Sequence, residues 1–108
     1  MLADTHCHLN FESFDIDRPA VVVRAQAAGV TRLLNPGVDL ASSQAAVQVA
    51  NAYEPVFAAV GVHPNDGQTW QPGSLAELTR LASQPKVVAI GEIGLDYYWQ
   101  RKIGRAHV

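Results

Sequence analysis

Cysteine is nearly absent: Cys7 stands alone among 108 residues, so no internal disulfide framework braces the chain. An excess of one charge is missing too. Eight Lys and Arg against ten Asp and Glu leave a formal net charge of −2 and a pI of about 6.0. No bulk positive field therefore draws the chain to nucleic acid or to an anionic membrane, and a polyanionic substrate would need local charges or metal ions to hold it. Apolar runs stop at about five residues, well short of the roughly 20 that a membrane helix requires. The opening Met1-Leu-Ala-Asp-Thr-His6 has neither the basic nor the apolar region of a secretory signal. Low-complexity blocks are lacking as well, since six Pro and eight Gly are spread along the chain. With 48% hydrophobic and 17% charged residues, the composition is that of an ordered globular protein with room for one domain. These absences predict a soluble, reduced, cytoplasmic chain with no membrane association and no obligate protein partner.

Two signals alternate along the sequence. Short β-rich segments lie near Met1–Asp4, Arg32–Asn35, Val56–Val62 and Val87–Ile93. Helical composition fills Asp17–Ala28, Ala41–Ala52 and Ser74–Ser83. Asp17 is the expected N-cap of the first helix, with Pro19 in its first turn and Gly29 just past its end. Val22, Val23, Ala25, Ala27 and Ala28 are its expected sheet-facing surface. Ser74-Leu-Ala-Glu77 reads as a capping box opening the third helix, with Leu75, Leu78 and Leu81 on its apolar face. The strands read as nearly continuous apolar runs, the pattern of parallel strands buried on both faces. Their starts recur every 25–30 residues or so, close to the repeat of a (β/α)8 barrel of about 250 residues. The expected fold class is α/β: three βα units plus a fourth strand, the N-terminal half of a TIM-type barrel, with strands one and four as open edges.

The last residues do not resemble what precedes them. Ile103–Val108 is what ATC-GGA-AGA-GCA-CAC-GTC would encode, a string that matches a widely used short-read sequencing adapter. Residues 102–108 are therefore expected to be a non-native tail, and His107 is set aside from the site. An ordinary frayed basic C-terminus is the alternative.

Chemistry concentrates at the strand ends. His6-Cys7-His8 closes the first strand, where residues i and i+2 share a face. Two imidazoles so placed can converge on one cation, or they are two ordinary polar residues at a strand end. Cys7 points the other way and is expected to be a small buried hydrophobe, while Asp4 is placed to accept a ring N–H. Glu92 follows buried aliphatics in Gly91-Glu-Ile-Gly-Leu-Asp96, where an unpaired carboxylate costs several kcal/mol. A divalent cation compensates it directly, and an arginine partner or a helix cap for Glu92 or Asp96 is the alternative. Gly91 and Gly94 are expected to permit tight backbone approach. His63, in Val62-His-Pro64, taken alone suits a turn. Three of four strand ends nonetheless offer His or Glu at the face where parallel α/β proteins bind ligands.

Asp4-Thr-His-Cys-His8, Gly61-Val-His-Pro64 and Gly91-Glu-Ile-Gly-Leu-Asp-Tyr97, in this order and spacing, resemble the TatD family of metal-dependent hydrolases. The resemblance runs from Met1 to about Arg101, so residues 1–101 are expected to form the N-terminal part of a TatD-like domain. It implies a (β/α)8 barrel of the amidohydrolase-like group with one or two divalent ions at its C-terminal mouth. His6 and His8 would ligate one metal, and Glu92 would ligate or bridge two and serve as the catalytic residue of this half. His63 and Asp96 would contact substrate. The family's remaining ligands, two histidines and an aspartate, lie after the fourth strand and have no counterpart in this chain. Asn10 stands where an acid is more usual, which puts a peripheral hydrogen bond in doubt.

The implied reaction of the intact parent is metal-assisted hydrolysis of DNA phosphodiesters, trimming from the 3′ end, with the nucleic acid engaged at a strand end. Mg, Mn and Zn all suit mixed His and carboxylate ligands. A metal-dependent esterase, such as a D-aminoacyl-tRNA deacylase, is one alternative, and a non-catalytic open α/β binding fragment is another. As written, the chain is expected to be inactive. Long-read resequencing across the codons for Arg101–Val108 tests the truncation: coding sequence continuing past Arg101 is the expected outcome, and a genuine stop after Val108 overturns it.

Overall fold

The structure, a computed structural model, describes residues 1–97; the expected tail at 102–108 lies outside them. Strands and helices alternate as β1 (Leu2–Asp4), α1 (Arg18–Ala27), β2 (Val30–Pro36), α2 (Leu40–Ala52), β3 (Val56–Val60), α3 (Ser74–Ala82) and β4 (Val87–Ile90). Turns of 3₁₀ helix occupy Glu12–Phe14 and Pro64–Thr69. Among the described residues the sheet has four strands in the order β1-β2-β3-β4, each pairing parallel. That is the arrangement expected of half a (β/α)8 barrel. No helix among the described residues is long and apolar enough to cross a membrane.

Two strands stop earlier than their composition predicts. β3 ends at Val60 rather than Val62 because the next residue leaves the ladder: Gly61 N–H donates to Ser43 Oγ (3.1 Å), and the Ser43 hydroxyl donates back to Gly61 O (3.2 Å). β4 ends at Ile90, and the chain then turns across the end of β3. β2 is longer than predicted: Val30 pairs with Leu2 of β1 and Thr31 lies at the register shift that follows, both β-branched residues that favour strand.

Helix α1 begins after Asp17 and is followed by Gly29 at φ +93°, as expected. Asp17 makes no side-chain capping bond; its carbonyl accepts from Val21 N–H instead. The buried face of α1 is also narrower than predicted. Val22 is buried and Val21 and Ala25 pack on the core, while Val23, Ala27 and Ala28 face outward.

The capping box sits on α2, not on α3. Asp39 Oδ1 accepts from Ser42 N–H (2.7 Å) while Ser42 Oγ accepts from Asp39 N–H (3.0 Å). At α3 the N-cap is Gly73 at φ +92°, and Ser74 Oγ accepts from Gln71 N–H (2.9 Å). The Glu77 carboxylate turns away to Arg80 (2.6 Å) and to Gln44 of α2 (2.9 Å). The Arg80 and Gln44 donors hold its pKa down at about 2. Leu81 and Leu78 of α3 reach the core, but Leu75 is exposed. Six residues of helix rotate about 240°, which carries Leu75 off the face that Leu81 occupies.

The core is one helix-to-sheet layer. Leu33, Val56, Ala58 and Val60 of the sheet meet Val22, Ala46, Val47, Ala50 and Leu81 of the helices. Burial on both faces, predicted for every strand, does not hold on the opposite side. There Ala3, Leu34, Phe57 and Val88 line an open hollow of about 230 Å³. The β4 side chains Val88 (60%) and Ile90 (52%) remain largely exposed, so the outer strands are the open edges that four strands of a barrel leave.

Lys86 secures the C-terminus of α2. Its ammonium donates to the carbonyls of Ala50 (2.9 Å), Tyr53 (3.3 Å) and Glu54 (3.0 Å), and lies 4.8 Å from the centre of the Phe57 ring. A cation at the negative end of the helix dipole satisfies carbonyls that the helix itself cannot. Lys86→Met keeps the aliphatic stem and removes the charge. Chemical denaturation should show a loss of about 1–2 kcal/mol.

Candidate metal centre

The chain bends at Thr5, directly after β1. Cys7 N–H donates to Leu34 O (3.0 Å), and this ladder bond turns Cys7 toward the helices and its two neighbours toward the C-terminal mouth. The Cys7 thiol packs against the core and lies 3.4 Å from Leu34 O. Burial pushes its pKa up to about 11, with the Asp4 carboxylate adding to the rise. It is a protonated, half-buried thiol turned away from the imidazoles, as the alternation of side chains predicts. Asp4 accepts the backbone N–H of His6 (3.0 Å), not a ring N–H as expected. It shapes the turn and does not orient an imidazole.

His6 Nε2 and His8 Nε2 lie 3.1 Å apart, and Glu92 Oε2 lies 3.4 Å from the first and 3.3 Å from the second. Ligand atoms about 2.1 Å from a common ion, at angles of about 90–110°, are separated by about 3.0–3.4 Å. Lone pairs of two imidazoles and a carboxylate aimed at one point repel unless a cation stands between them. The donor set therefore fits a divalent ion in both spacing and charge. Glu92 keeps 24% of its side-chain surface exposed, so such an ion would face the mouth. With Nε2 of His8 turned to this point, its proton belongs on Nδ1, a buried atom with no hydrogen-bond partner among the described residues. The His8 ring is held instead by stacking on Phe11, centroids 4.6 Å apart.

His63 joins from the end of β3. Its Nδ1 accepts the Asn65 backbone N–H (3.0 Å), so the neutral ring carries its proton on Nε2. That nitrogen faces Glu92 Oε1 at 3.9 Å, too far for a hydrogen bond. In this tautomer His63 offers a donor to the mouth, not a lone pair. Asp96 stands further out, where its Oδ2 accepts from Asn65 Nδ2 (3.3 Å). The fold thus brings His6, His8, Glu92 and His63 together and links Asp96 to them through the loop after His63.

Backbone contacts place Glu92. Gly91 N–H donates to Val60 O (2.9 Å), and Glu92 N–H donates to Gly37 O across the end of β3 (2.7 Å). This crossing needs Gly61. A Cβ there would stand 2.9 Å from Glu92 O and from Gly91 C, and 3.0 Å from Ile93 Cγ2. The close approach at Gly91 is thus to its backbone and does not require Gly91 itself to lack a side chain, since a Cβ there would meet only Ala59 Cβ at 4.0 Å. Gly94 meets nothing within 4 Å; its φ of +123° is what glycine permits there.

Several supports escaped sequence reasoning. Asn35 is fully buried at the end of β2; its Oδ1 accepts from Asn10 N–H (2.9 Å) and its Nδ2 donates to Asn10 Oδ1 (2.8 Å). Asn10, which stands where an acid is more usual, thus pairs with Asn35 through both its backbone N–H and its side-chain oxygen. Arg18 donates to Leu9 O (2.5 Å), Phe11 O (3.1 Å) and Asp15 Oδ1 (2.8 Å), gripping the segment after His8. A polar Asn35 inside an apolar strand, and Gly61 directly after one, were the available signals. Nothing local marked Arg18. Gly61→Ala should weaken zinc binding by about 10- to 100-fold, as displaced supports of metal ligands do. Isothermal titration measures it, and unchanged affinity would show that the Gly61 approach does not set the carboxylate.

A family model described as TatD related DNase matches residues 3–107. The chain is 42% identical over 101 residues to an uncharacterized metal-dependent hydrolase, YabD, of Bacillus subtilis, covering 94% of this chain and 40% of that protein. It is 44% identical over 94 residues to the 3′-5′ ssDNA/RNA exonuclease TatD of Cronobacter turicensis, covering 87% of this chain and 36% of the relative. Among solved structures, the TatD homolog YjjV of Escherichia coli superposes with a TM-score of 0.81 at 36% identity, over 90% of this chain and 38% of that one. A TatD family hydrolase of Entamoeba histolytica gives a TM-score of 0.81 at 29% identity, over 89% and 38%. The chain therefore spans well under half the length of these relatives, and it belongs to the TatD-related DNase family of metal-dependent hydrolases.

Proposed function

We propose that this chain is the N-terminal part of a divalent-metal-dependent nuclease that hydrolyses DNA phosphodiesters from the 3′ end. The convergence of His6 Nε2, His8 Nε2 and Glu92 Oε2 within 3.1–3.4 Å of one another carries the reading. In it His6 and His8 hold one ion through neutral Nε2 atoms, and the Glu92 carboxylate joins them, with Oε1 left to reach a second ion. A divalent ion bound there supplies positive charge against a phosphate and acidifies a water for attack. That local charge is what a chain of net charge −2 needs to engage a polyanion. His63, with its proton on Nε2, donates to a phosphate oxygen lying over the site. Asp96 stands at the rim and, through Asn65, keeps the loop after His63 in place. The 3′-5′ exonuclease activity named for the Cronobacter relative supports phosphodiester hydrolysis over an ester substrate.

Among the described residues, the histidine and the carboxylate at the site, His63 and Glu92, are not free to act as general base for the attacking water. His63 Nδ1 is occupied by a backbone N–H, and Glu92 is committed to the ligand set. We therefore expect the 108-residue chain to leave a 5′-labelled single-stranded oligonucleotide intact in manganese. The longer protein read from the continued coding sequence should shorten it from the 3′ end. Glu92→Gln in that longer protein should slow shortening by about 100-fold or more. Efficient ester cleavage with intact DNA would overturn the phosphodiester assignment, and turnover by the short chain would overturn the half-site account.

A further inference from the structure

Beside the metal centre lies a cavity of about 530 Å³, within the range of about 300–1,000 Å³ usual for small-ligand sites. Val62, Pro64, Leu78 and Ile93 form its apolar walls, Trp70 presents its ring, and His63 stands at the rim it shares with the ligand cluster. Among the described residues the lining carries no Lys, Arg, Asp or Glu, so the cavity suits a flat neutral group and not a second phosphate. Trp70 follows the Pro64–Thr69 turn and is anchored by its own N–H to Gly67 O (3.1 Å), yet 46% of its surface is exposed. A large aromatic face left in water beside a catalytic cluster is a stacking platform awaiting a partner.

We propose that this cavity is a nucleobase subsite, in which Trp70 stacks on the base adjoining the scissile phosphate while His63 donates to that phosphate. The proposal rests on the phosphodiester reading above and adds the residue that grips the base. Continuity points to the occupant: His63 lines the cavity while its Nε2 faces Glu92 Oε1 at 3.9 Å, so a group in the cavity is placed to be the one attached to a phosphate held at the His6–His8–Glu92 cluster. A base in this cavity has left its neighbours in the stack.

The test uses the 108-residue chain carrying Trp99→Phe, so that Trp70 is its only tryptophan. Trideoxyadenylate in magnesium should quench Trp70 emission, whereas an abasic trinucleotide backbone should bind more weakly and leave the emission unchanged. Trp70→Ala, read by calorimetry, should weaken trideoxyadenylate binding roughly 5- to 100-fold, and Trp70→Phe should restore most of it. Circular dichroism matched to the parent guards against misfolding, and the comparison of the two ligands needs no variant at all. Equal magnesium-dependent binding of both ligands, or full affinity in Trp70→Ala, overturns the base subsite while the phosphate reading stands. If neither ligand shows magnesium-dependent binding, both readings fail together.

Discussion

The meeting of Glu92 with His6 and His8 depends on one backbone contact. Glu92 N–H donates to Gly37 O (2.7 Å) across the end of β3, and this bond carries the carboxylate from the fourth strand back over the third toward histidines on the first. The path is open only because Gly61, beneath it, has no side chain. Ser43 holds Gly61 in turn, filling with a hydroxyl the hydrogen bonds that a neighbouring strand would otherwise make. Gly37 packs against the same serine so closely that a Cβ there would stand 2.2 Å from its Oγ. Two glycines and one buried serine thus form the floor under the Glu92 side of the cluster.

The histidine side of the cluster is held differently. His6 and His8 lie past the end of β1, where a ladder bond from Cys7 to Leu34 O still ties the chain to β2. Beyond them the segment is fastened by side chains: Asn35 through Asn10, and Arg18 through the carbonyls of Leu9 and Phe11. Buried polar groups of this kind are costly unless paired. Here each pairing doubles as a strut for a ligand-bearing loop.

Much of this was legible in the residues. The alternation of strand and helix showed in apolar periodicity, because period-2 and period-3.6 patterns are local properties. The identities of His6, His8, Glu92 and His63 also stood out, since each is polar directly after an apolar strand. Capping at α3 was misread because Ser74 and Glu77 fit the box by spacing alone. Their side chains found better partners in Gln71 N–H and in Arg80 with Gln44, the last on another helix.

By itself, then, the sequence determined the parallel α/β repeat, the placement of metal-ligating residue types at strand ends, and the orientation of Cys7 away from them. Only the tertiary structure decided which glycine admits the Glu92 backbone and that buried Asn35 pairs with Asn10. It also set Trp70 and His63 on one cavity wall. The division has a physical cause. Strand and helix periodicity is a property of neighbours along the chain, whereas close approach, long-range side-chain pairing and cavity shape depend on atoms that meet only once the sheet has ordered its strands.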